Sequence, residues 1–97
     1  MSELTLCPKY EHVFKWLGKR WNGLILRCLS NQPLKFTQIS TCLKTCSDKV
    51  LTQRLKELQD EGIVEHIDSY YQLSEKGHAL KEVLEAVQHF ADQHTTP

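Results

Sequence analysis

Apolar residues recur along this chain at spacings that mark out its elements. Tyr10, Val13, Phe14 and Leu17 fall at i, i+3, i+4 and i+7, the period of one helical face, and Cys7-Pro8 ahead of them reads as a helix start. Gly18 interrupts that face, and a second apolar segment runs from Trp21 through Leu24, Ile25, Leu26 and Leu29. Ser30-Asn31-Gln32-Pro33 reads as a loop. A third, short helix is expected over residues 36–43, with Phe36, Ile39, Cys42 and Leu43 facing inward. The fourth is the best bounded. Ser47 is a good N-cap, Asp48 suits the positive end of the helix dipole, and Gly62 stands where the chain must leave the helix. Ile63, Val64 and Ile67, then Tyr70, Tyr71 and Leu73, predict two short strands turning near Asp68-Ser69. Ser74 caps a final helix reaching about Gln93, with Leu80, Val83, Leu84, Val87, Phe90 and Ala91 along one side.

At 97 residues the chain is expected to form a single domain over 1–97, since two separate cores would each be too small to fold unaided. Its 40% hydrophobic and 25% charged residues are those of an ordinary globular chain. No apolar run approaches the roughly 20 residues that span a bilayer. The N-terminus shows no basic segment followed by an apolar one and a cleavage site. The four cysteines are therefore read as reduced thiols of a cytoplasmic protein. A membrane protein, a secreted disulfide scaffold and a multidomain enzyme are excluded on this reading.

The formal net charge of zero hides a division. Residues 1–56 hold ten Lys or Arg against three acidic residues, a balance of +7, and residues 57–97 hold two against nine, a balance of −7. Such a molecule can present a strong local field without a net charge. Within the basic half, residues 33–56 carry Lys35, Lys44, Lys49, Arg54 and Lys56 against Asp48 alone.

At about 100° per residue, the fourth helix separates into two faces. Leu51, Leu55 and Leu58 gather on one, and Lys49, Thr52, Gln53 and Lys56 on the other, at i, i+3, i+4 and i+7. Gln pairs with adenine through two hydrogen bonds, Lys approaches guanine or phosphate, and Thr offers a hydroxyl and a methyl. With the short helix before it, this segment makes a helix-turn-helix over about 35–60, followed over about 63–73 by a hairpin where a wing would lie. The residues expected to meet duplex DNA are Lys35, Thr37, Gln38, Lys44, Ser47, Lys49, Thr52, Gln53, Arg54 and Lys56.

These stretches also resemble a known family. Cys7-Pro8, Gly18-Lys19-Arg20-Trp21 with Leu24-Ile25-Leu26, and Lys35-Phe36-Thr37-Gln38-Ile39 come first. Val50-Leu51-Thr52-Gln53-Arg54-Leu55-Lys56-Glu57-Leu58, Glu61-Gly62-Ile63-Val64 and Tyr71-Gln72-Leu73-Ser74-Glu75-Lys76-Gly77 follow in the same order. Together they resemble the HxlR-type branch of winged helix-turn-helix transcription regulators, relatives of MarR-type repressors. The resemblance implies an α+β, mostly helical fold: a winged helix-turn-helix with a short β-hairpin wing and N- and C-terminal dimerisation helices. It implies a homodimer, formed through residues 8–17 and 74–93, that places one helix of each subunit in successive major grooves of a pseudo-palindromic operator. Tyr10, Val13, Phe14, Leu80, Val83, Leu84, Val87 and Phe90 are the expected interface, on apolar sides that are wide for so small a chain. A repressor is the expected function. The departure lies in the wing, which is short and carries Glu65 and Asp68 where the family has positive charge. His66, Ser69 and Tyr70 are the donors it has left.

Cys7 sits before Pro8 at a helix N-terminus with Lys9 nearby, a setting that makes thiols reactive. Members of the resembled family sense quinones, hypochlorite or disulfide stress at this position, so Cys7 is read either as a redox switch answering a thiol-reactive effector or as a small residue packed near the dimer interface. Cys28, Cys42 and Cys46 read as structural, Cys46 as the N′ residue packing on Leu51. Cys42-x-x-x-Cys46 would need two more donors, such as His66 or His78, to hold zinc, and its spacing is looser than zinc sites use. No metal or cofactor is expected. Trp16 and Trp21 read as pocket or core, with Trp21 placed in the core. No nucleophile, base and orienter group together, and a thiol enzyme built on Cys7 and His12 lacks depth for excluding water. The competing reading is a winged-helix module that binds protein instead of DNA, favoured by the neutral charge and the acidic wing.

Overall fold

A buried leucine-rich centre organises the chain, and each element contributes to it through the face that its periodicity marks out. The computed structural model describes residues 5–96; of the single domain expected over 1–97, the first four residues and Pro97 lie outside the described residues. The order is α1 (Pro8–Leu17), α2 (Asn22–Cys28), β1 (Leu34–Lys35), α3 (Phe36–Leu43), α4 (Asp48–Asp60), β2 (Val64–Ile67), β3 (Tyr70–Leu73) and α5 (Glu75–His94). Ile25, Leu26, Ile39, Leu51, Leu55 and Leu58 are at most 1% exposed and form the middle of the core. Leu34, Ile63, Val64 and Leu73 close it from the sheet side, Trp16 from α1 and Leu84 from α5.

The three strands form an antiparallel sheet in the order β1-β3-β2. Leu34 pairs with Tyr71, and Val64 through Ile67 pair with Leu73 through Tyr70. Two residues, Asp68 and Ser69, make the turn, Asp68 with φ of 55°. Strand β1 was not expected. Two residues are too few to show alternation, and it exists because β3 offers them an unpaired edge.

The helix ends follow their signals closely. Ser47 Oγ accepts from Val50 N at 3.2 Å, and Gly62 takes φ of +75° just beyond α4, a conformation that costs glycine nothing. Ser74 makes a denser junction. Its Oγ accepts from Gly77 N at 3.0 Å to cap α5 and lies 2.6 Å from Gly62 O and 3.1 Å from Ile63 O, to which it donates. Gly77 belongs there because a Cβ would stand 2.3 Å from Ile63 O.

Helix α5 runs for 20 residues, about 30 Å, and only its N-terminal half touches the core. The radius of gyration is therefore 14.8 Å, against about 12.5 Å for a compact chain of this length. Among the described residues no helix is long and apolar enough to cross a membrane.

Candidate nucleic-acid interface

Helix α3, the turn at residues 44–47 and helix α4 form the helix-turn-helix. The reading helix is fixed from behind by Leu51, Leu55 and Leu58, all buried, so the opposite side must face out. Lys49, Thr52, Gln53 and Lys56 are exposed there, as expected. Thr52 Oγ1 donates to Asp48 O at 2.8 Å. Lys44, in the turn, is exposed with φ of 59°.

Three of the expected contact residues also serve local structure. Gln38 Oε1 accepts from Lys35 N at 2.8 Å and so caps α3. Ser47 is occupied as the cap of α4. Arg54 is turned aside: it is half-buried, with Nη1 3.6 Å from Glu57 Oε1. Thr37 and Lys35 are exposed at the start of α3, and the Lys35 ammonium lies 5.6 Å from the Tyr70 ring centre. In the hairpin, His66 stacks on Tyr71 with ring centres 4.0 Å apart, and Gln72 donates to Glu65 at 3.2 Å. That leaves Ser69, beside the acidic Asp68 at the tip, and the 43% exposed Tyr70.

Glu57 was not singled out from the sequence and proves central. Its carboxylate pairs with Lys19 and accepts from Asn22 Nδ2 at 2.9 Å, tying the α1–α2 junction to α4. Asn22 is fully buried and donates also to Trp16 O at 2.6 Å. Burial alone would push the Glu57 carboxyl up. The hydrogen bonds from Lys19 and Asn22, with the charges of Lys19 and Arg54, outweigh it and hold the group below the usual carboxylate range. A second unexpected pair, His12 Nε2 and Glu61 Oε1 at 3.0 Å, joins α1 to the end of α4. Neither leaves a periodic trace in sequence, because both join residues 35 or more positions apart.

Between α1, α2 and α5 lies an apolar groove of about 430 Å³, with Phe14, Leu24, Val83 and Val87 on its walls and Lys19, Arg20 and Arg27 at its rim. Tyr10, Phe14, Val83, Val87 and Phe90 of the expected interface are 48–63% exposed. Leu84, also expected there, is 8% exposed and packs into the core at the floor of the groove, with Leu80 and Val13 half-buried. Leu24, within the second apolar segment, is 50% exposed. Neither tryptophan lines the groove. Trp16 is buried, and Trp21 is half-buried under the Arg20 guanidinium at 4.7 Å.

The cysteines divide differently from expectation. Cys7 is exposed at the N-cap of α1, with Pro8 at the first helical position. Cys46 is buried, as its N′ role requires, and burial raises its thiol above the usual range. Cys42, expected on the core side of α3, is exposed, and its Sγ lies 2.7 Å from that of the half-buried Cys28. Cys42 and Cys46 therefore face opposite environments and do not converge.

A capped helix with one buried and one polar face, set behind a short supporting helix and followed by a hairpin, defines a winged helix-turn-helix protein. A family model described as HxlR-like helix-turn-helix matches residues 16–97, and the chain belongs to that family. It is 43% identical to the HTH-type transcriptional regulator YodB of Bacillus subtilis, over 96% of this chain and 89% of the relative. It is 34% identical to an uncharacterized HTH-type transcriptional regulator of the same organism, YvaP, over 100% of this chain and 96% of the relative. The crystal structure of quinone-bound YodB superposes with a TM-score of 0.83 at 47% identity, covering 90% of this chain and 99% of that one. YodB has also been solved in a reduced form and after diamide treatment.

Proposed function

We propose that the protein is a cytoplasmic, homodimeric repressor that binds a pseudo-palindromic DNA operator and lets go when Cys7 reacts with an oxidant or electrophile. The observation that carries this is the outward stripe of α4. Lys49, Thr52, Gln53 and Lys56 are exposed together on a helix whose other face is locked into the core, and Lys44, Lys35 and Thr37 flank them with phosphate-binding chemistry. Arg54 stands outside the set, held by Glu57. Ser47 and Gln38 contribute by shaping the helix starts.

The dimer is supported by the apolar groove and by the half of α5 that projects beyond the body with Val87 and Phe90 uncovered. A second copy supplies what those residues lack, and two linked readers gain specificity that one small module does not have. The acidic two-residue wing tip leaves recognition to α4. Thiol response is supported by the exposure of Cys7 at the start of α1, inside the proposed interface, and by the quinone-bound form of the relative YodB.

Selection of bound sequences from random duplexes, with and without a mild oxidant, tests all three parts. The expected result is a two-fold symmetric site bound with a steep loss of affinity as salt rises, and release by oxidant in the wild type but not in Cys7→Ser. Binding without sequence preference, or a flat salt dependence, would overturn the DNA reading. Release that persists in Cys7→Ser would remove the role of that thiol.

A further inference from the structure

Cys28 and Cys42 stand outside both the reading face of α4 and the α1–α5 groove, yet the fold brings their sulfurs together. Cys28 closes α2 and Cys42 lies in the last turn of α3. They are 14 positions apart in sequence, and their Sγ atoms are 2.7 Å apart. The pair opens onto a recess of about 360 Å³ lined also by Leu24, Arg27 and Leu43, so a small molecule can reach it. Cys42 is exposed and Cys28 half-buried. Nothing in the core requires two thiols here, since the buried positions around them are filled by Ile25, Leu26 and Ile39.

We propose that Cys28 and Cys42 are an oxidisable dithiol that closes to an intrachain disulfide with a small two-electron oxidant such as a peroxide, a modification site separate from Cys7. The chemistry runs in two balanced steps. The Cys42 sulfur attacks one peroxide oxygen, the O–O bond breaks, and a sulfenic acid forms with release of one water. The Cys28 sulfur then displaces the hydroxyl from Cys42, its own proton leaves with that hydroxyl as a second water, and the S–S bond forms. The two thiols lose two electrons in total, and the peroxide gains them.

The order of events follows from the surroundings. Burial, reinforced by the hydrogen bond and charge of Cys42, pushes the Cys28 thiol up to about 12, so it stays protonated at neutral pH while the exposed Cys42 meets the oxidant. Contact between the sulfurs then makes the second step intramolecular, which compensates for a poor thiolate fraction. The new bond ties α3, the supporting helix of the helix-turn-helix, to α2 across a loop of about 15 residues. None of this depends on the DNA reading.

The test uses the full-length reduced protein and hydrogen peroxide, followed by alkylation, intact mass and non-reducing peptide mapping. Trypsin cuts after Arg27, Lys35 and Lys44, so Cys28, Cys42 and Cys46 fall in separate peptides. The expected result, read in Cys7→Ser, is loss of two of its three alkylatable thiols, a mass lower by two hydrogens before alkylation, and the Cys28 peptide joined to the Cys42 peptide. It should appear equally in wild type and Cys7→Ser, raise the melting temperature by roughly 10 °C, and reverse with dithiothreitol. Cys42→Ser, at an exposed position, should keep its fold and lose the crosslink. Cys28 and Cys42 both remaining alkylatable while Cys7 is oxidised, or Cys42 joined to any other cysteine, would overturn the proposal.

Discussion

Replacing Glu57 by alanine removes the anion that holds the α1–α2 junction to the reading helix, and the cost can be worked from its contacts. Asn22, fully buried, would keep its bond to Trp16 O and lose the carboxylate 2.9 Å away. A hydrogen bond to a charged acceptor contributes about 1.5–3 kcal/mol. The Lys19 and Arg54 pairs are partly solvated, with side chains 41% and 27% exposed, and together add no more than about 1 kcal/mol after screening. Glu57→Ala should therefore destabilise the fold by about 2–3 kcal/mol, a large share of the roughly 5–15 kcal/mol available to a domain, and lower its melting temperature by roughly 10–20 °C. Glu57→Gln, which retains an acceptor for Asn22, should lose about 1 kcal/mol.

The pH dependence gives a second check on the same residue. Glu57 is held below its usual range in the folded protein, so the unfolded chain takes up that proton more readily. The stabilisation is complete above about pH 4.3 and fades as pH falls through the lower folded value. The gap between wild type and Glu57→Gln should narrow as pH falls below about 4.3 and on through the lower folded value. Urea unfolding followed by the fluorescence of Trp16 and Trp21, at pH 7 and near pH 3, measures both quantities. A Glu57→Ala midpoint equal to that of the wild type, or a Glu57→Gln gap unchanged on acidification, would refute the reasoning.

Further expectations concern the two proposed interfaces and the α5 junction. Gln53→Ala should cost about 1–3 kcal/mol at one base position of the selected site, while Lys44→Ala should weaken all sequences alike and reduce the salt slope by about 1, both read by fluorescence anisotropy. Val87→Asp, at a position 61% exposed in the single chain, should halve the mass in light scattering while leaving the far-ultraviolet circular dichroism intact. Gly77→Ala should lower the thermal midpoint despite alanine's better helix propensity, because its Cβ would meet Ile63 O at 2.3 Å and Leu73 Cβ at 3.2 Å.

Elements with caps and periodicity are legible in the sequence. Helix α3 spans the expected residues 36–43, α4 begins at the Ser47 cap, and α5 passes the expected end by one residue. The outward stripe of α4 followed from rotation per residue alone. What escaped was whatever depends on distant partners. Cys42 follows Ile39 by three positions, yet Ile39 is buried and Cys42 exposed, because in the last turn of α3 it is Leu43 that packs against the core. Leu84 belongs to the same apolar side of α5 as Val87, but only the turn nearer the body reaches the core. Glu57 looked like one more solvated acid because the groups that engage it, Lys19 and Asn22, come from the other end of the chain.

The hydroxyl of Ser74 has a mechanical consequence. It holds the first turn of α5 against the carbonyls of Gly62 and Ile63, while Lys76 Nζ grips Glu61 O at 3.1 Å. Gly77 leaves no slack at the same spot. Helix α5 is thus welded at its root to the tail of α4, and its far end is a lever about 30 Å long. Whatever load the far half of α5 bears is therefore delivered to Glu61, Gly62 and Ile63, the short link between the reading helix and the hairpin.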